Sequence, residues 1–402
     1  VLIDDDLIEL NVGYKSIPPT FWGRTAGEVA AERHALSEFP TPLMTFDRAA
    51  SDFNVRILLD WARSLGLEIA PHGKTSMAPT LWHRLLDAGA WGITVATPWQ
   101  AQVARAAGIP RVLLANEVID PVGAAWLARE TDAGFEIASW VDSVEAVAVL
   151  GRTAGSRPID VLVELGGNGG RAGARGITAA LSVARAAAAE PRVRLRGVSG
   201  YEGTYGSDRS EPSRDRVRAY LTEVRELMGE VGAAGLIEGP PIVTAGGSTW
   251  FDVVAEVLGP LRHDATVILR SGAFQAHDDV LYEGISPFAG TDHSLRAALT
   301  LWSRVVSRPE PTLAIIDAGN RDAPFDKGLP VPLDLPGARL TALNDQHGFL
   351  EIPADSDLAV GDVLRLGISH PCTAFDRWRL LPEVDDATID DPRVVGFIRT
   401  WF

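Results

Sequence analysis

Between residues 68 and 271 short aliphatic, strand-like runs alternate with Ala/Leu/Arg-rich helical runs, and this rhythm limits the fold more than any other feature. The strand candidates are residues 68–71, 92–96, 111–115, 134–138, 159–165, 195–200, 241–245 and 266–270. Helical stretches at 77–88, 98–107, 121–130, 143–150, 177–189, 214–231 and 249–258 separate them. Strict alternation of this kind implies parallel strands. Eight repeats over roughly 200 residues match the count and length of a (β/α)8 barrel. A doubly wound open sheet is the alternative.

After about residue 285 prolines and Gly-Asp turns become frequent. Strand-like runs at 299–307, 313–317, 340–343, 349–352 and 363–368 then replace the helices. The pattern predicts an α/β chain: a barrel over 48–285, and a β-rich domain from 1–47 and 286–402. Residues 41–46 are expected to pair with that β domain before a helix at 48–65 leads into the barrel.

Bulk properties narrow the partners. The chain has 402 residues, 46% hydrophobic and 22% charged, with a net charge of -16. No apolar run reaches the roughly 18 residues a membrane helix needs. The acidic charge argues against nucleic acid or anionic membranes, so a small molecule is the expected partner. The start, Val1-Leu2-Ile3-Asp4-Asp5-Asp6, lacks the basic-then-apolar shape of a secretory signal. Cys372 is the single cysteine, which rules out an intrachain disulfide and any zinc site needing two cysteines of one chain. A reducing cytoplasm is the expected compartment.

A barrel builds its active site at the C-terminal ends of its strands. The first predicted strand ends in Pro71-His72-Gly73-Lys74-Thr75. A lysine there is either a solvated surface residue or an amine able to form a Schiff base. The fifth is followed by Gly166-Gly167-Asn168-Gly169-Gly170-Arg171-Ala172-Gly173. That stretch formally matches a dinucleotide fingerprint, but it does not open the first βαβ unit. The other reading is a glycine loop that delivers Arg171 to the site. The sixth ends in Gly200-Tyr201-Glu202-Gly203, where Tyr201 either touches a ligand ring or caps the barrel.

The seventh ends in Ala245-Gly246-Gly247-Ser248-Thr249, either a plain turn or a phosphate cradle of open amides and hydroxyls before a helix. The eighth ends in Arg270, one more cation at the same mouth. In the β domain, Ser369-His370-Pro371-Cys372 puts two borderline-soft ligands two residues apart. On an extended segment they would share one side. Two donors suit an open metal site, and a buried cysteine beside a core histidine is the plainer account.

Three of these segments, Pro71-His72-Gly73-Lys74-Thr75, Asn344-Asp345-Gln346-His347-Gly348 and His370-Pro371-Cys372, together resemble the D-serine dehydratase and D-threonine aldolase family. That family has the alanine-racemase-like fold, fold type III of the pyridoxal-phosphate (PLP) enzymes. The resemblance spans about Thr41 to Asp376. It implies that Lys74 carries PLP covalently, with Arg171 near its phenolic oxygen and Tyr201 near its pyridine nitrogen. Gly246, Gly247 and Ser248 would hold the phosphate, with Arg270 close by. His370 and Cys372 would bind a divalent metal at the substrate's β-hydroxyl, zinc before manganese or magnesium. His347 would face that pocket as a second catalytic group.

The resemblance has departures. Asp317-Ala318-Gly319-Asn320 leads into Arg321 where a lysine is common, and bulky Thr249-Trp250 follows the phosphate loop. The implied reaction is dehydration and deamination of D-serine or a related 3-hydroxy-D-amino acid. A D-threonine-type aldolase is the first alternative; cysteine as the second ligand goes with dehydratases, aspartate with aldolases. A racemase, a decarboxylase of the same fold and a non-catalytic PLP-binding protein are the further alternatives. By analogy the chain is expected to form a homodimer.

Overall fold

The computed structural model describes residues 4–402; the first three residues of the acidic start lie outside it. The chain divides into two compact units. One holds Leu58–Lys74 and Trp82–Gly272; the other holds residues 4–57, Thr75–Leu81 and Ala273–Phe402.

In the first unit all eight expected strands form: Glu68–Ile69, Ile93–Val95, Arg111–Glu117, Glu136–Val141, Ile159–Gly166, Val193–Gly200, Ile242–Ala245 and Thr266–Leu269. Each pairs in parallel with its neighbour. The ring closes because the first strand pairs with the eighth and a parallel bridge joins His72 to Thr94 beside the second strand. The first strand is short because Pro71 has no N–H to continue the ladder. The fourth starts two residues later than expected. Gly134 is held at φ +86°, which makes it a turn residue.

Helices such as Pro98–Ala106 and Ile177–Ala189 connect the strands. Leu113, Trp140, Leu162, Ile242 and Ile268 pack together as a buried cluster. A cavity of about 440 Å³ opens among the N-terminal strand ends, where Arg111, Glu136, Asp160, Arg194 and Arg196 lie. Arg111 pairs with Glu136 at 2.7 Å, and Asp160 takes both Arg194 at 2.5 Å and Arg196 at 2.6 Å. Three of its arginines are therefore already paired, as befits the end of a barrel that serves stability.

The second unit is built on a nine-stranded sheet. Its central strand, Leu299–Glu310, pairs antiparallel with Leu43–Asp47, in the register Leu43 to Trp302 through Phe46 to Leu299. The N-terminal segment therefore does join the β domain, as its strand-like run suggested. Strands Leu380–Val384 and Val394–Arg399 extend the sheet beyond Leu43–Asp47. The sequence reading missed both, and Pro382 in the first argues against a strand on composition alone. Among the described residues no helix is long and apolar enough to cross a membrane.

Candidate active site

Gly73–Thr75 forms one tight turn just past the first barrel strand. A Cβ on Gly73 would lie 2.7 Å from Trp82 Nε1, which donates to the Gly73 carbonyl at 3.2 Å. The close approach of that indole fixes the backbone of the turn, and the Lys74 side chain is exposed.

The neighbouring His72 reports what surrounds it. Its pKa is driven well below the ordinary value, first by burial, then by the charges of Lys74, Arg270 and Arg171. For three cations to act on one buried ring, all must lie close to it. The first, fifth and eighth strand ends therefore do converge. His72 Nδ1 is itself buried without a hydrogen-bond partner.

Arg270 is almost fully buried, at 4% exposure. Its Nη1 donates to Thr244 Oγ1 and its Nη2 to the Gly200 carbonyl, both at 2.7 Å. Burial lowers its pKa, while the Glu202 and Glu164 carboxylates raise it. Arg171 is exposed and lies over the Tyr201 ring at 4.9 Å. The Tyr201 N–H donates to Tyr220 Oη at 3.0 Å, and that hydroxyl donates to the Leu165 carbonyl at 2.6 Å. The sixth strand end is thus tied to the fifth.

Arg175 shapes the glycine loop by donating to the carbonyls of Arg171, Ala172 and Gly173 at 2.6, 2.9 and 2.8 Å. The loop returns as a short strand, Ala174–Arg175, beside the fifth strand. It does not run straight into a helix as a dinucleotide turn would.

At the seventh strand end, Gly246 has φ +113°, a conformation that favours glycine. The amides of Gly246 and Gly247, read from sequence as part of a phosphate cradle, donate to the two oxygens of Glu202 at 2.9 and 2.6 Å. Ser271 Oγ donates to the Gly247 carbonyl at 2.9 Å and joins the seventh and eighth loops. Ser248 follows directly and is half-buried.

Sequence reasoning assigned no role to Glu202, although it stands beside Tyr201. It also missed Glu117 and Glu164, a carboxyl pair on the third and fifth strands. Burial, then the Glu164 charge, pushes Glu117 up to about 8, and burial raises Glu164 as well. The available signal was a charge in an otherwise apolar run, Val161-Leu162-Val163-Glu164-Leu165.

In the second unit, His370 is the extended N-cap of a short helix, Pro371–Phe375. Cys372 therefore sits on a helical turn, not on the extended segment expected. The two side chains still meet. Burial would lower the His370 pKa, but the hydrogen bonds and charges of Cys372 and Asp326 outweigh it and raise it. Asp326 Oδ2 lies 2.7 Å from His370 Nδ1, and Thr373 Oγ1 donates to Asp326 Oδ1 at 2.7 Å. Cys372 Sγ is 3.4 Å from Thr75 Oγ1.

With Nδ1 engaged, Nε2 is the ring nitrogen turned to other use, the arrangement of a metal-binding histidine oriented by a carboxylate. An imidazole and a thiol in contact fit a soft divalent ion. Among the described residues no group of three or more His, Cys, Asp or Glu is placed to hold a metal. His370 and Cys372 therefore fit only an open site, completed by water or substrate. His347 is not brought to this pair by any contact among the described residues. It is exposed in the turn between strands Arg339–Leu343 and Gly348–Glu351, where its carbonyl accepts from Asn344 N at 2.8 Å.

Residues 46–256 match the alanine racemase N-terminal domain, and 298–384 match a putative serine dehydratase domain. The chain is 28% identical over 341 residues to 3-hydroxy-D-aspartate aldolase of Paracoccus denitrificans (strain Pd 1222), covering 83% of this chain and 86% of that one. It is 29% identical over 366 residues to D-threonine aldolase of Arthrobacter sp, with coverages of 89% and 92%. It is also 28% identical over 367 residues to D-threo-3-hydroxyaspartate dehydratase of Delftia sp. (strain HT23), with coverages of 84% and 92%.

Among solved structures, D-threonine aldolase from Filomicrobium marinum superposes with a TM-score of 0.78 at 26% identity, over 92% of this chain and 97% of that one. Two structures of D-threo-3-hydroxyaspartate dehydratase match at 21% identity with TM-scores of 0.75 and 0.73. They cover 93% and 92% of this chain, and 98% and 99% of their own. One carries alanine for a histidine, the other alanine for a cysteine two residues further on, and the second is a metal-free form.

Proposed function

The chain belongs to the alanine-racemase-like, fold type III family of pyridoxal-phosphate enzymes, and we propose that it is a lyase that dehydrates and deaminates D-serine or a related 3-hydroxy-D-amino acid. PLP is carried on Lys74, and a divalent metal, zinc first, is held by His370 and Cys372. The observation that carries this reading is the contact of His370 with Cys372, with Asp326 fixing the histidine. A thiol as second donor separates a dehydratase from an aldolase in the resemblance. The two D-threo-3-hydroxyaspartate dehydratase variants, at a histidine and at a cysteine two residues further on, support it.

When bound, PLP supplies an electron sink for charge at the substrate's Cα, and the metal supplies a Lewis acid at the β-hydroxyl. The chain supplies the rest. Lys74 Nζ takes the Cα proton, which is balanced by the hydroxide that departs from the β-carbon as water. Arg171 and Arg270 bring positive charge to the barrel mouth, where developing negative charge is stabilised. His370 and Cys372 would hold the metal. The β-hydroxyl leaves as water, and hydrolysis of the resulting enamine yields a 2-oxo acid and ammonia.

D-threonine tests the assignment. Dehydration yields 2-oxobutyrate and ammonia; retro-aldol cleavage yields glycine and acetaldehyde. Glycine as the main product would overturn the dehydratase reading. It would establish the second one, a D-threonine-type aldolase, which the names of the Arthrobacter and Paracoccus relatives favour.

A further inference from the structure

The glycine turn after the seventh barrel strand holds an anion that belongs to the protein. The Gly246 N–H donates to Glu202 Oε2 at 2.9 Å and the Gly247 N–H to Oε1 at 2.6 Å. The carboxylate spans two successive amides, each oxygen taking one. Glu202 is wholly buried, on the turn that follows the sixth strand. Its charge is not left alone there. Among the charges acting on buried Arg270, that of Glu202 comes first. Arg270 in turn is held by Thr244 and the Gly200 carbonyl. A buried carboxylate with a nearby guanidinium and two amide donors is satisfied, and satisfied groups are costly to disturb.

The same carboxylate sits against the surface the cofactor would meet. A Cβ on Gly247 would lie 3.3 Å from the Tyr201 ring and 3.5 Å from Glu202 Oε1. Arg171 lies over the other partner of that contact, the Tyr201 ring. Glu202 therefore fixes the phosphate loop and the Tyr201 turn to each other.

We propose that Glu202 is the positioning residue of the phosphate loop: its carboxylate occupies the Gly246 and Gly247 amides and sets the turn, so that the cofactor phosphate is taken from Ser248 onward. This rests on the PLP reading above. It changes the part played by the two glycines, from phosphate donors to anchors of the loop. Gly246 is needed for its backbone angle and Gly247 for the close approach of Tyr201.

The test compares PLP with pyridoxal, which lacks the phosphate, in the full-length chain. Binding of each is followed by the absorbance band at roughly 420 nm. Glutamine at 202 can accept from one amide but sets its NH2 against the other. Glu202→Gln is expected to weaken PLP binding by about tenfold or more, given two charge-assisted hydrogen bonds at stake. Pyridoxal binding should fall by no more than about threefold, because pyridoxal meets the Tyr201 turn that Glu202 also fixes but not the phosphate loop. An equal loss for both compounds would overturn the proposal, since that is what general damage to the barrel produces. PLP binding that is unchanged or tighter would also overturn it, because the carboxylate would then be idle or opposing the phosphate. If Glu202→Gln does not fold, Glu202→Asp must show the same selective loss, its carboxylate being one methylene short of both amides. A wild-type chain that binds neither compound sinks the PLP reading itself, a result distinct from either of these.

Discussion

The barrel mouth and the His370 turn each use a carboxylate to fix a functional group, and they do it differently. Glu202 is buried and grips two backbone amides. Asp326 is exposed and grips one imidazole nitrogen. The barrel site is held by strand ends, with Tyr220 and Glu202 tying them to one another. The His370 site hangs on a single cap residue and a five-residue helix. Damage should therefore separate: changes in the β unit should cost metal, and changes at the mouth should cost cofactor.

The largest effect should follow Lys74→Ala. Loss of the amine that carries the cofactor and moves the proton should lower turnover by on the order of a thousandfold or more. The band at roughly 420 nm should vanish, while metal content stays at the wild-type level. A retained band would break the comparison, because the mouth would then not hold the cofactor through Lys74. Cys372→Ala is the reciprocal experiment. Bound metal, measured by elemental analysis, should fall to trace amounts and dehydration by about a hundredfold or more. The band should persist. Loss of both together would show that the two sites are not independent.

How much of this could be read from the chain follows the same divide. Barrel strands are short, parallel and regularly spaced, so their ends could be located and Lys74, Arg171, Tyr201 and Arg270 placed there. A strand end says nothing about what its own neighbours grip, so Glu202, next to Tyr201, went unassigned. In the β unit the pair His370 and Cys372 was visible because their types are rare together. The reason they meet was not, since the local backbone is a helix cap where a strand was expected. Asp326 lies 44 residues before His370 in an irregular stretch, and no periodicity links the two. The exposed turn at His347 shows the converse, a motif legible in sequence that the fold does not bring to His370 by any contact among the described residues.

A smaller effect should come from Asp326→Asn. The amide keeps the shape of the carboxylate but loses its charge and can present its NH2 to His370 Nδ1. Orientation of a metal-bound histidine by its partner carries roughly ten- to a hundredfold in metal affinity. Competition with a chelator of known strength should show a loss in that range, with the cofactor band unaltered. No change in affinity would mean that Asp326 merely ties the turn to Thr373.

The smallest effect concerns acids that each unit hides. Asp278 in the β unit is wholly buried, and burial pushes it up to about 7 from an ordinary 3.8, against the pull of the Val280 and Tyr282 amides. The folded chain thus keeps a proton that the unfolded chain releases between those two values. A raised acid of this kind contributes stability that is present below pH 4 and lost as the pH rises through about 7. The wild-type β unit should therefore be less stable toward urea at about pH 8 than at about pH 5. Asn at 278 keeps an acceptor for the two amides and has no proton to lose. Asp278→Asn should cut that pH-dependent loss by on the order of 1–2 kcal/mol, even if the variant is less stable overall. Glu117→Gln should flatten the corresponding loss in the barrel over a window reaching about 8, where the Glu164 charge adds to burial. Parallel wild-type and variant curves in both cases would mean that neither acid is protonated in the folded chain. The two units would then differ in how they hold ligands, yet not share this hidden cost of buried charge.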